Sequence, residues 1–184
     1  PEKAGDPRVL ARFEREVRAT AKLSHWNNID IFDYGRAADG TFYYVMEYLP
    51  GMNLGDLVRR HGPLAPERVI HLMRQTCEAL AEAHGAGLIH RDIKPANVII
   101  DKEGFARLLD FGIASFFEAE VGDSEDEKRL IMGTEAYMAP EQGAGDPDTD
   151  HRADLYALGA MAYELLTGTP PFGDRPAHAQ LIAH

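Results

Sequence analysis

Cysteine is almost absent: Cys77 is the only one in 184 residues. A single thiol cannot form an internal disulfide, which fits a reducing compartment. Cys77 falls in a helical pattern and is expected there as a small buried apolar residue. Positive charge is scarce, with 19 Lys and Arg against 30 Asp and Glu and a net charge of −11. That balance argues against a nucleic-acid-binding surface and against docking on anionic membrane. No apolar run approaches the roughly 20 residues that span a bilayer. No signal-peptide pattern opens the chain either. The expectation is a soluble, cytoplasmic chain with no membrane segment and no nucleic-acid partner. Internal repeats are lacking, and the only biased stretch is acidic.

What is present is ordinary for a globular protein: 45% hydrophobic and 27% charged residues. The length suffices for one domain with a real core, or for a large part of a bigger one. GDPRVLARFEREVRATAKL reads as a helix, with Asp6 as N-cap, Pro7 in its first turn, and Leu10, Phe13, Val17 and Ala21 on one face. Glu16 lies at the border of that face, about 60° from Phe13 at 100° per residue. It can point toward an interior site, or pair as a surface residue with Arg12 or Arg15. LSHWNNIDIFDYG and TFYYVMEYL, joined by RAADG, predict an antiparallel hairpin.

Residues 54–60 suggest a short helix. LAPERVIHLMRQTCEALAEAHGAG predicts a longer one, with Pro66 in its first turn and an end at Gly85 to Gly87. Its buried stripe is expected to be Val69, Leu72, Met73, Thr76, Leu80 and Ala83. His71 and His84 are too far apart for a metal pair and are read as surface or core histidines. From Leu155 to Leu166 a helix is apolar nearly all round, which predicts burial on every face. Asp154 at its start then needs hydrogen-bond partners.

The chemistry concentrates between His90 and Gly112, HRDIKPANVIIDKEGFARLLDFG. Two apolar segments, Asn97 to Ile100 and Phe105 to Leu109, flank the turn-forming DKEG and predict a second hairpin. A polar loop with Asp92, Lys94 and Asn97 leads in; Asp110, Phe111 and Gly112 lead out. One edge thus gathers two carboxylates, an ammonium and an amide. Magnesium prefers hard oxygen ligands and shares itself with substrate phosphates. A further carboxylate can orient an attacking hydroxyl, and a lysine can hold a transferring phosphoryl group. Phosphoryl transfer needs this set, because its catalysis is mostly positioning and charge neutralisation.

HRDIKPAN followed by DFG resembles the catalytic loop and metal-binding motif of protein kinases, in the form with lysine two residues after the aspartate that serine/threonine kinases carry. GTEAYMAPEQ and ADLYALGAMAYELLTGTPPF extend the resemblance over nearly the whole chain, and the text is most similar to bacterial eukaryote-like serine/threonine kinases. The resemblance implies an α+β, two-lobed protein-kinase-like fold. Residues 1–48 would form part of the small lobe and residues 49–184 part of the large one.

The implied reaction is transfer of the ATP γ-phosphate, with Mg2+, to Ser or Thr of a protein substrate. Asp92 would accept or orient the hydroxyl proton, Lys94 would steady the γ-phosphate, and Asn97 and Asp110 would hold magnesium, with Phe111 and Gly112 shaping that turn. Glu16 would pair with an ATP-binding lysine. Met46 would guard the back of the ATP pocket, Glu47, Tyr48 and Leu49 would be the hinge whose backbone binds adenine, and Asn53 would contact ribose. Arg91 would be neutralised by phosphate on the activation loop. There Ser124 is the better phosphosite, because Thr134 matches the residue contacting Asp92 and Lys94. Six acidic residues between Glu118 and Glu127 could supply part of that negative charge or be a solvated loop with no partner. Glu141 would close the peptide groove, and Asp154 would accept hydrogen bonds from the backbone around Arg91. Trp26 stands where the family usually has proline and is read as packing.

Two family features are missing from the sequence: a glycine-rich phosphate loop before Glu16 and a VAIK-like strand with its lysine. Neither Lys3 nor Lys22 is a credible substitute. Together with the absence of the last large-lobe helices, this predicts a catalytic domain cut at both ends. Two alternatives follow, a non-catalytic kinase-like scaffold and a small-molecule kinase of the aminoglycoside type. The HRDxKxxN form and the MAPE segment speak against the second.

Overall fold

The computed structural model describes residues 14–15, 17–38, 42–109, 111, 135–173 and 175–184. The chain forms β1 (Ile31–Arg36), β2 (Phe42–Met46), β3 (Gly51–Asn53), α1 (Leu54–His61), α2 (Pro66–Gly85), β4 (Val98–Asp101), β5 (Ala106–Leu108), α3 (Pro140–Gly143), α4 (Arg152–Thr167) and α5 (Ala177–Ala183). Short 3-10 turns occupy Pro95–Asn97 and Glu135–Tyr137. Residues 14–15 and 17–20 are helical.

Both expected hairpins are present. β1 and β2 pair antiparallel, from Ile31 opposite Met46 to Arg36 opposite Phe42, with an irregularity between Ile31 and Asp33. β4 and β5 pair with Val98 opposite Leu108 and Ile100 opposite Ala106. Their turn is closed by Asp101, whose Oδ1 accepts the backbone N–H groups of Glu103 and Phe105. Gly104 supplies the left-handed φ of 90° that the turn demands. A third strand, β3, adds to β4 with Gly51 opposite Asp101. A Cβ on Gly51 would lie 2.2 Å from the Ile100 carbonyl oxygen, so only glycine lets this strand approach.

The main core lies where α2 and α4 meet the three-stranded sheet. Leu54, Leu72, Leu80, Ile93, Leu108, Met161 and Leu165 are fully buried in it. The expected stripe of α2 is buried, with Met73 half-buried at its margin. Cys77 is a correction: it is exposed. It follows Ile70, itself exposed, by seven residues and therefore shares its face.

A second correction concerns α4. Ala153, Ala157, Ala160, Met161 and Leu165 are buried, but Leu155 and Tyr163 are each 50% exposed and Leu166 is 44% exposed. An all-apolar helix shows that every face can be buried, not that each face meets a neighbour. The two-stranded sheet has a much smaller core, in which buried Val17 packs against Ile31, Tyr34 and Tyr44.

The stretch from Ser24 to Ile29 binds the two regions together. Glu82 of α2 accepts from Ser24 N, Ser24 Oγ, His25 N and Asn28 Nδ2 at 2.8–3.2 Å. Asn27 Nδ2 donates to Gln75 Oε1 and to the Ala106 carbonyl. Leu108 and this segment exchange backbone bonds, Leu108 N to Asn27 O and Ile29 N to Leu108 O. Among the described residues no helix is long and apolar enough to cross a membrane.

Candidate active site

The loop between α2 and β4 is built around His90, which is fully buried. Its Nδ1 accepts the Asp92 N–H at 3.2 Å, which fixes Nε2 as the donor to the Leu109 carbonyl at 2.7 Å. Its ring packs on Phe111, centroids 4.8 Å apart. One imidazole thus ties this loop to the end of β5.

Asp154, 1% exposed at the start of α4, holds the same loop from below. Its Oδ2 accepts His90 N at 2.8 Å and its Oδ1 accepts Arg91 N at 2.7 Å. His84 Nε2 is a third partner, 2.7 Å from Oδ2. Arg91 has φ 66°, a left-handed conformation that costs a non-glycine residue energy and persists only where its surroundings impose it. Here Asp154 grips its N–H, and Gln142 Nε2 donates to its carbonyl at 3.0 Å. The result turns Asp92 toward Lys94 and Asn97.

Two donors converge on Asp92 Oδ2: Lys94 Nζ at 2.8 Å and Asn97 Nδ2 at 2.9 Å. Asn97 Nδ2 also donates to the Asp92 carbonyl at 2.8 Å, and the Asn97 carbonyl accepts Leu109 N at 2.9 Å. With its nitrogen committed twice to Asp92, the amide of Asn97 leaves Oδ1 as the atom for another partner. A hard amide oxygen on a buried residue, oriented by the two bonds of its nitrogen, fits a magnesium ligand. Asp110, the other expected ligand, lies outside the described residues, as do Glu16, Gly112, Ser124 and Thr134.

The remaining expected positions are more dispersed. Met46 ends β2 and is partly exposed, and Tyr48 is almost fully exposed. Glu47 exchanges bonds with Asp30 and forms an ion pair with Arg107. Asn53 caps α1, its Oδ1 accepting Asp56 N at 2.7 Å. Glu141 stands in the first turn of α3, next to the Gln142 that braces Arg91. Beside them, Tyr137 and Glu164 of α4 are hydrogen-bonded. Burial, with Glu164 alongside, pushes the Tyr137 phenol well up, and burial also raises the Glu164 carboxyl.

Three contributors escape a reading by motif: His84, Gln142 and Arg107. His84 carries only the weak signal of a histidine in the last turn of a helix, and Gln142 simply follows APE. Arg107 offers an unexplained charge at an inward position of a strand.

Known proteins resemble the chain over nearly its whole length. The family model described as "Protein kinase domain" matches residues 2–183. The chain belongs to the protein kinase family. Kinases named as serine/threonine-specific are its relatives. Serine/threonine-protein kinase pkn3 of Myxococcus xanthus is 42% identical over 172 residues, 91% of this chain and 31% of that protein. PknB of Mycolicibacterium smegmatis is 43% identical over 177 residues, 94% of this chain and 28% of that protein. PknB of Mycobacterium leprae is 41% identical over 179 residues, with the same shares. The chain spans under a third of the length of these relatives. The family as a whole uses ATP and magnesium.

Proposed function

We propose that this chain carries the phosphoryl-transfer centre of an ATP-dependent serine/threonine protein kinase. The observation that carries the reading is the convergence of Lys94 Nζ and Asn97 Nδ2 on Asp92 Oδ2, with Asn97 Oδ1 left over. Asp92 accepts or orients the proton of the substrate Ser or Thr hydroxyl. Lys94, already beside that carboxylate, steadies the γ-phosphate as it moves toward the hydroxyl. Asn97 Oδ1 and the Asp110 carboxylate would hold magnesium, which neutralises phosphate charge when bound. Asp154 and His90 keep the loop in shape, with Phe111 packed on His90.

In this reading residues 1–48 belong to a small lobe and residues 49–184 to a large lobe. The backbone of Glu47, Tyr48 and Leu49 binds adenine with Met46 behind it, and Asn53 approaches the ribose edge through α1. Glu16 would position an ATP-binding lysine, which this sequence does not supply. Arg91 would answer to the acidic segment around Ser124, and Thr134 would be the residue that contacts Asp92 and Lys94. Glu141 and its neighbours shape the peptide groove. The lone cysteine supports a cytoplasmic setting.

The test is transfer from γ-labelled ATP with magnesium to a generic Ser/Thr protein substrate, set beside nucleotide affinity by calorimetry. The reading expects transfer that Asp110→Asn removes. Nucleotide binding without transfer, unchanged in Asp110→Asn, would favour the non-catalytic scaffold.

A further inference from the structure

Arg107 lies in the middle of β5 with its side chain only 9% exposed. Its guanidinium pairs with the Glu47 carboxylate. Its Nε is buried and, among the described residues, meets no acceptor. Trp26, the only tryptophan of the chain, lies over the guanidinium at 5.3 Å, and the edge of Phe105 meets that indole at 6.2 Å. A buried ion pair with one unsatisfied arm is a poor route to stability alone. Its placement gives it another use.

The pair closes a ring of bonds. Glu47 Oε1 also accepts Asp30 N at 3.0 Å, and Glu47 N donates to Asp30 O at 3.0 Å. Ile29, next in the chain to Asp30, donates to the carbonyl of Leu108, the neighbour of Arg107. Arg107, Glu47, Asp30, Ile29 and Leu108 therefore form one closed circuit. It joins the segment following β2 to β5, three residues before Asp110. Both side chains of the pair are largely buried, so the attraction is less screened than at an open surface.

We infer that Arg107 is a positioning residue for the nucleotide: through Glu47 it fixes the adenine-binding segment against the strand that delivers the metal-binding Asp110, with Trp26 as its cover. The inference rests on the proposed kinase reading, since the two tied segments are those assigned to adenine and to phosphate-bound metal.

The test measures ATP affinity by calorimetry and the KM and kcat of transfer for the chain, Arg107→Met, Arg107→Lys and Glu47→Gln, with melting temperature followed alongside. Arg107→Met is expected to weaken ATP binding and raise KM for ATP about tenfold, with a smaller fall in kcat. Arg107→Lys recovers most of the loss, and Glu47→Gln repeats it in part while leaving an oxygen for Asp30 N. If Arg107→Met does not fold, Glu47→Gln and Arg107→Lys carry the comparison. ATP affinity and KM unchanged in the folded variants would overturn the inference and leave the kinase reading standing. No ATP binding by the unaltered chain would overturn both.

Discussion

The loop proposed as catalytic and the two-stranded sheet are held by different physics. The loop is gripped on several sides, by buried His90 and Asp154 and by half-buried Gln142, and stands on the core of α2 and α4. The β1–β2 sheet rests on Val17 and a few half-buried neighbours, and leaves Phe32, Tyr43, Val45 and Met46 exposed. A two-stranded hairpin is marginal in water without further packing. The comparison teaches that the groups proposed for chemistry sit on the better-packed region, while the segment proposed to bind adenine borrows its order through tethers. Those tethers are Glu82 with Ser24 to Asn28, and Arg107 with Glu47.

The largest effect that would sharpen this contrast is chemical. Asp92→Asn should cut phosphoryl transfer by about a thousandfold, the scale of lost general-base assistance, and spare nucleotide affinity. Steady-state transfer assays beside calorimetry check both halves. Next is the support beneath the loop. Asp154→Ala removes the acceptor for two backbone N–H groups and His84 inside a buried site. It should cost about 3–5 kcal/mol in urea unfolding, more than any surface carboxylate. A loss below about 1 kcal/mol would show that the loop is held elsewhere.

The two cores can be compared directly. Leu80→Ala should lower global stability by about 3 kcal/mol through transfer and cavity terms. Val17→Ala should move the global urea midpoint much less and open the β1–β2 sheet locally, as read by proteolysis of the hairpin. Equal global losses would break the distinction.

Much of this architecture is legible in the sequence, because it depends on local patterns. Alternation and the DKEG turn give the β4–β5 hairpin, and Pro66 with its apolar stripe gives α2. Asp92, Lys94 and Asn97 stand out because three kinds of polar group crowd into six positions. What the sequence leaves hidden is set by partners distant along the chain. His84 meets Asp154 and Glu82 meets Ser24 across spans that no local period reports. The exposed side of α4 and of Cys77 is hidden for the same reason: amphipathicity names a face but not its neighbour. Trp26, unexplained as a departure from proline, gains a role only when β5 brings Arg107 beneath it.

The smallest expected effect concerns pH. Burial alone raises the Glu82 carboxyl, but hydrogen bonds from Ser24, His25 and Asn28 outweigh it and hold the group below its ordinary value. Its stabilisation is therefore complete above the unfolded carboxylate range and is lost as pH falls through the folded value. Glu82→Gln should destabilise most near neutrality and converge with the unaltered chain in acid. Parallel stability curves at all pH values would remove Glu82 as an electrostatic tether.

Native-state hydrogen exchange, read by peptide mass spectrometry without nucleotide, tests the contrast most directly. Amides in β4, β5 and the second half of α2 should exchange only through global unfolding. Those in β1 and β2 should exchange through openings several kcal/mol less costly. Equal protection in both regions would contradict the account, because the small sheet would then be as firmly held as the catalytic frame.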